Sequence, residues 1–528
     1  MRLFVALVVA LLSVSASLPA TADDSSGFHT STPAMLLPLA PGSSVLPIIS
    51  VGDTVRDYTF EAIPDGISFV PHGRGTVDVY VNHETSLVPF PATRSDFTNS
   101  MLSRLRLRQG SAGVLRGDYV IPSEANYQRF CSNFLVGKAQ GFELDLILTN
   151  EEARDIVLRS GLAWHPPSVA LTEPTAEQAG VVVAYDVKSG TYRSIYGMGR
   201  HNHENSVGLP GYGHPVVLSG DDTFDAPASQ LYLYNAPSGA AVWNDQGTLY
   251  AFVSDNPAVN DYGDFPGATT VSGRFLEVPR SIATGKRADG TDVTSVDFGY
   301  PTPPSGVPDG PQWVLEHWSH NVARAFQFIR VEDIAYDRTN SNIVYFTDTG
   351  EPRAIPDAAG RLRRGPSGTL GPYPNGRIFK LVLDPIDPLR VLSLSVLIDA
   401  DAGGYSNPAV VHQPDNIETT ANSLLIQEDP GSHNQGSAIG YAKIWRYTLP
   451  AGPLVPVAQV DQSARPDLRP GSWESSGIID ASAVFGPGAF LVDIQAHGHE
   501  IEMAPSPHPG VTRMREAGQL LLFRAPGS

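Results

Sequence analysis

Short apolar runs alternate with clusters of acids and amides along almost the whole chain. Residues 79–81 run into Asn82-His83-Glu84, residues 144–148 into Asn150-Glu151-Glu152, and residues 216–218 into Gly220-Asp221-Asp222. Residues 343–346 lead to Asp348, and residues 424–426 to Gln427-Glu428-Asp429. After a loop, another strand-like run follows, as at 231–234, 378–383 and 444–447. A period of strand, acid, loop and strand predicts a radial or stacked β architecture that gathers carboxylates at one place. Carboxylates gathered in low dielectric repel one another, and a hard cation relieves the repulsion. The pattern therefore predicts a metal-centred, all-β protein.

The same pattern sets the expected organisation. Residues 23–50 are Ser/Pro-rich and weakly patterned, which suits an extended N-terminal arm. Strand signals run from Val51 to Phe523, so 51–528 reads as one closed domain, each strand pair needing its neighbours to bury its second face. Two stretches read as insertions: 96–116, where leucines stand among arginines, and 260–313, rich in Gly, Pro and Asp. Residues 361–375 read as a further polar loop. The final strand near 520–524 is expected to share a sheet with the N-terminal end and close the ring.

The first residues change the picture of location. Arg2, an apolar run over 3–12 and the small-residue site Ala20-Thr21-Ala22 predict a cleavable general-secretion signal over 1–22. The run is shorter than the roughly 20 residues needed to span a bilayer, and no later stretch is longer. A periplasmic or extracellular protein without a membrane span is expected. With 45 Pro, 50 Gly and 17% charged residues, composition favours loops and strands over a helical bundle. The formal charge of −19, or −20 without Arg2, disfavours nucleic acid and anionic membranes as partners. It leaves room for an anionic substrate, because bound cations invert the local sign. Cys131 is the one cysteine, so no intramolecular disulfide is possible. An exported thiol calls for burial or ligation, and the sequence leaves both open.

Several clusters carry candidate chemistry. Asn82-His83-Glu84 ends a strand and suits either a ligand or a solvated turn. Residues 199–205, Gly-Arg-His-Asn-His-Glu-Asn, put two imidazoles, a guanidinium and a carboxylate close together, as metal or anion binding would need. Gly220-Asp221-Asp222 is equally explained by an Asx-type turn. In Arg330-Val331-Glu332-Asp333, strand alternation puts Arg330 and Glu332 on one face. A guanidinium beside a metal-bound carboxylate can grip a phosphoryl group, and a same-face ion pair is the plain alternative. Pro414-Asp415-Asn416 and Glu428-Asp429 bracket one strand. Trp473-Glu474 and Gln495-Ala496-His497 are further candidates. No Gly-x-Ser-x-Gly elbow, His-Glu-x-x-His helix or phosphate-cradling Gly-rich loop occurs.

Taken in order, these residues resemble the PhoX-type alkaline phosphatases. The series is Pro64-Asp65-Gly66, Asn82-His83-Glu84, Cys131 with Glu151-Glu152, and Gly199-Arg200 with His203-Glu204. Gly220-Asp221-Asp222, Arg330-x-Glu332-Asp333, Pro414-Asp415-Asn416 and Ile426-Gln427-Glu428-Asp429 complete it. The resemblance implies a six-bladed β-propeller that holds calcium and iron in its channel and hydrolyses phosphomonoesters. It implies metal ligation by Glu84, Cys131, Glu151, Glu152, Glu204, Asp222, Glu332, Asp415, Glu428 and Asp429. Arg330 and Arg200 become phosphate-binding residues, with Arg330 and Glu332 catalytic. Two other readings use the same acids: a calcium-centred propeller esterase or lactonase, and a non-catalytic propeller that merely holds calcium.

Overall fold

The computed structural model describes residues 26–89, 93–159, 176–222, 229–265, 269–358, 360–431, 433, 435–507 and 509–528. The expected secretion signal lies outside the described residues. The architecture is all-β and propeller-like, built from antiparallel meanders whose first strands face one another. These inner strands are Pro64–Gly73, Phe130–Val136, His203–Gly208, Val331–Tyr336, Pro414–Thr419 and Glu474–Asp480. Each contacts the next in chain order, and the last contacts the first, which closes a ring. Strand Thr270–Glu277 bonds both Thr248–Ser254 and Arg390–Asp399, fusing the meanders that begin at His203 and Val331 into one nine-stranded sheet. A count of six depends on dividing that sheet at this seam.

The ring closes through both ends of the chain. Ser44–Ser50 pairs with Thr512–Arg524, in register Ser44 to Arg524. Leu36–Pro38 adds an edge to the fifth meander by pairing with Leu454–Val460. The arm expected over 23–50 thus contributes two strands, and hydrogen bonding rather than mere apposition holds it to the body.

Two expected insertions are redrawn. Residues 96–116 contain Met101–Arg108 and the start of Val114–Ile121, the third and fourth strands of the first meander. Alternation explains this: Leu105 and Leu107 enter a core with Val77, Val79 and Val81, whereas Arg104 and Arg106 turn away. Those arginines pair with Asp118 at 2.7 Å and Asp78 at 2.7 Å. Each buried leucine contributes about 1.5–3 kcal/mol relative to exposure. In 260–313 the strand Thr270–Glu277 belongs to the sheet, and the insertion proper begins after it. It contains Arg280–Thr284, Ser295–Phe298 and Pro311–His317. Pro311 opens the last of these at a position where its missing N–H costs nothing. Within 361–375, Leu362–Arg364 pairs with Ala354–Pro356 as a small hairpin. No helix among the described residues is long and apolar enough to cross a membrane.

Candidate metal centre

One local device recurs around the ring. Pairing between the first two strands goes from Pro64/His83 to Ile67/Val81, from Phe130/Glu151 to Asn133/Thr149, and from His203/Asp221 to Ser206/Ser219. It goes from Val331/Asp348 to Ile334/Phe346 and from Pro414/Glu428 to Ile417/Ile426. In each case the inner strand uses one residue more than its partner, a β-bulge that re-aims the extra side chain. The first bulged residue is Asp65, Cys131, Glu204, Glu332 or Asp415. The residue following the second strand is Glu84, Glu152, Asp222, Thr349 or Asp429. The sixth meander differs: its bulge falls at Ser476/Ile478, and Glu474 stands at the strand start.

These side chains form four overlapping groups whose ligand atoms lie within 4.8 Å of one another. They are Asp65, Glu84 and Cys131; Cys131, Glu152 and Glu204; Glu204, Glu332 and Asp415; and Asp415, Asp429 and Glu474. Cys131, Glu204 and Asp415 are shared, so one connected arc draws on every inner strand. Gln495 Nε2 donates to Asp65 at 2.9 Å and to Glu84 at 3.2 Å, tying the sixth meander back to the first. Asp65, Cys131, Glu204, Glu332 and Glu474 are buried, whereas Glu84, Glu152, Asp415 and Asp429 are half-buried.

The electrostatics are those of acids forced together without enough donors. Burial, then the Asp65 charge, pushes Glu84 up to about 8, and burial holds Asp65 at about 6. Burial and neighbouring carboxylates raise Glu152, Glu204, Asp415 and Asp429 well above the ordinary range. The Cys131 thiol reaches Glu204 at 3.0 Å and Asp65 at 3.4 Å. Burial, then Asp65 and Glu204, raises its pKa, so it holds its proton among these acids. Asp65 Oδ1 and Glu474 Oε2 are buried without hydrogen-bond partners. Orphaned oxygens in a mutually repelling set fit hard cations, with the oxygen-only groups suited to calcium and the two thiol-bearing groups to a softer ion such as iron.

Of the expected ligands, the arc includes Glu84, Cys131, Glu152, Glu204, Glu332, Asp415 and Asp429. Three stand elsewhere. Glu151 turns outward, accepts the backbone N–H groups of Gln128, Gly180 and Val181, and pairs with Arg159 at 2.7 Å. Glu428 likewise takes the N–H groups of His412 and Lys443 and the Trp445 indole. Asp222 faces the arc, but its two oxygens are held by Arg330 at 2.6 and 2.5 Å. Arg200, expected to bind phosphate, is fully buried against Asp292 and the Gln178 carbonyl, where no substrate group can reach it. Two arc members stand outside the ligand set that the resemblance implies, although Pro64-Asp65-Gly66 opens the matched series and Trp473-Glu474 is a further candidate. Asp65 occupies the same bulge position as Cys131, Glu204, Glu332 and Asp415, a register no run of residues announces. Glu474 is separated from the others by the sixth meander's different bulge.

A cationic rim borders the arc on one side. Arg330 lies 3.2 Å from Glu332 and 3.3 Å from His433 Nε2. His433 approaches Glu351, which also pairs with Arg353 and Arg364. Arg353 and Arg364 keep 26% and 30% of their side chains exposed, so this rim meets solvent.

No protein-family model and no curated protein matches this chain. By structure it is similar to a protein of the GH130 family, described among glycoside hydrolases that target β-1,2 mannosidic linkages in Candida mannan. That match has 10% identity, 83% of this chain and 98% of the other, and a TM-score of 0.28. It is also similar to NanB sialidase from Streptococcus pneumoniae, at 9% identity over 89% of this chain and 70% of the other, TM-score 0.29. A leech intramolecular trans-sialidase gives 8% identity, 88% and 68% coverage, and a TM-score of 0.30. Likenesses this low carry no argument about what the chain does.

Proposed function

We propose that this chain is an exported, metal-dependent phosphoric ester hydrolase acting on phosphomonoesters. The observation that carries the reading is an acid–thiol arc drawn from every inner strand and bordered by the Arg330–His433–Arg353–Arg364 rim. Acids able to hold cations beside fixed positive side chains suit an anionic ester better than a neutral one. Ions held by the arc would act as Lewis acids and lower the pKa of a bound oxygen nucleophile. Asp222 and Glu332 fix the Arg330 guanidinium in one orientation, so little reorganisation accompanies charge development on the transferring group. His433, beside that guanidinium, is held neutral: burial, then Arg330, pushes it down to about 2. A neutral imidazole there can accept a hydrogen bond from the Arg330 guanidinium and orient it without adding to the rim's charge.

Elemental analysis of purified protein, paired with phosphomonoester turnover, tests the reading. Calcium with iron, and turnover that a chelator abolishes, is expected. Calcium alone with carboxylic ester or lactone turnover would move the assignment to an esterase or lactonase. Calcium with no turnover of either kind would leave a binding propeller.

A further inference from the structure

The sixth meander reaches the arc by a device of its own. Glu474 stands at the start of its inner strand, and the groups that hold it come from a break in the neighbouring hairpin. Strands Ala489–Pro505 and Thr512–Arg524 pair Ala496 with Ala517 and then Glu500 with Glu516. His497, Gly498 and His499 therefore bulge out with no residue opposite them. Gly498 has φ at 78°, the left-handed region that a glycine adopts without strain. Its N–H donates to Glu516 Oε1 at 2.7 Å, which fastens the bulge to the facing strand.

The two imidazoles of the bulge take hold of consecutive residues. His499 stacks flat on the buried Trp473 ring, with centroids 5.4 Å apart and planes within 8°. His497 stands between two carboxylates, its Nε2 3.0 Å from Glu474 Oε1 and its Nδ1 2.9 Å from Glu516 Oε2. Ionised carboxylates only accept, so both ring nitrogens donate, and the Glu516 charge offsets that of the imidazolium. His497 keeps 40% of its side chain exposed, so its contribution is polar rather than core packing. Glu474 Oε1 is thereby committed, whereas Oε2 is buried without a hydrogen-bond partner.

We propose that His497 is a positioning residue. Backed by Glu516, it turns the Glu474 carboxylate so that Oε2 serves a calcium ion held together with Asp415 and Asp429, the oxygen-only group to which Glu474 belongs. Partners of this kind fix the orientation of a ligand, and the offsetting Glu516 charge preserves the pull of Glu474 on a cation. The other arc acids are steadied differently: Gln495 serves Asp65 and Glu84, Ser132 serves Glu204, and Thr349 serves Glu332. Glu474 lies off the bulge register those inner strands share, and the His497 bulge supplies the alignment that its own strand does not. The inference rests on the arc's holding cations and not on the ester it would cleave.

Calorimetric titration of calcium into the chelator-stripped full chain tests this, with affinity read per folded molecule. His497→Phe keeps a ring and removes both donors, whereas His497→Gln keeps a donor without the ring. Calcium affinity at one site is expected to fall about tenfold in His497→Phe, as it does when the partner of a metal ligand is lost, and by less in His497→Gln. Unchanged affinity in His497→Phe would overturn the proposal. So would a His497→Gln protein weaker than His497→Phe, the order that ring packing would produce. Should neither variant fold, Glu516→Gln leaves the His497 ring in place and uncovers its charge; weaker calcium binding supports the proposal, and unchanged binding overturns it. Wild type that binds calcium but turns over no phosphomonoester would remove the hydrolase reading and leave His497 its role. Turnover in wild type, with calcium affinity unchanged in His497→Phe, would remove the positioning role alone.

Discussion

Glu151 and Glu152 are neighbours in sequence and opposites in circumstance. Glu151 meets three backbone N–H groups and the Arg159 fork, and its charge is fully answered. Glu152 meets other acids, and burial with the nearby Asp222 and Glu204 charges raises its pKa. Glu428 and Asp429 repeat the contrast: the first takes the Trp445 indole and two backbone donors, the second shares a hydrogen bond with Glu474. Alternation sends adjacent strand residues to opposite faces, so one acid of each pair ties down a loop and the other is left for a cation. Donor supply, rather than acidity, separates a structural carboxylate from a metal-ready one.

Truncating both acids should give the sharpest break. Glu151→Ala takes one of two carboxylate partners from Arg159, which keeps Glu177, and leaves three N–H groups buried without their acceptor, a loss of at least about 1–3 kcal/mol of stability. Metal bound per folded molecule should not change. Glu152→Gln should act in the opposite sense: in chelated protein it replaces a carboxyl that its neighbours already push towards the protonated form, so the melting temperature holds or rises, and in loaded protein it lowers metal content. Calorimetry with and without chelator reads both. If the two variants destabilised chelated protein alike, the division between tie and ligand would fail.

Arg330 tests the same contrast from the cation's side. Its fork is closed on Asp222, so Arg330→Ala strands that acid beside Glu152, Glu204 and Glu332 and should itself cost stability. The double variant Arg330→Ala/Asp222→Asn removes the stranded charge and should restore most of the melting temperature. Phosphomonoester turnover should stay low in both, by about 2–4 kcal/mol in the barrier, the loss typical of one pre-organised donor. Arg330→Lys should recover part of it, since a point charge lacks the fork. Turnover restored together with stability in the double variant would reduce Arg330 to an ion-pair residue.

The strand–acid period was legible because it is local: apolar runs, turn residues and acids at strand ends are all visible in the chain. The Leu/Arg alternation over 102–107 was equally local, yet arginines on the outer face of a strand resemble an insertion until Asp78 and Asp118 are seen opposite them. Which acid of a pair faces inward was not legible, because it depends on a bulge in the register with another strand. Nor could Arg200 be assigned from sequence. Its partner Asp292 lies 92 residues away in the helical insertion, and only the fold reveals that the guanidinium is already engaged. Asp65 shows the reverse error: nothing in Pro64-Asp65-Gly66 marks a ligand, but its rung in the ring does.

The gentlest effect is a slope with pH. Glu84 is pushed from an ordinary 4.5 up to about 8, and Asp65 from 3.8 up to about 6, first by burial and, for Glu84, next by the Asp65 charge. Folded, metal-free protein therefore holds protons that the unfolded chain has already released. Stability then falls as pH rises from about 4 towards 8, because the native state binds more protons across that window. A cation reverses this, since it takes the place of those protons and binds more tightly as they leave. Chelated protein should melt progressively lower between pH 5 and pH 8, whereas protein in saturating calcium should show a flat or rising profile. Glu84→Gln should make the chelated curve shallower, because a neutral amide at that position has no proton to lose, while Asp65 and other buried acids such as Glu428 keep part of the slope. Parallel profiles with and without calcium would mean that these acids are not where the cation binds. A chelated curve that rises with pH would mean that hydrogen bonds within the protein hold these two carboxylates in their charged form.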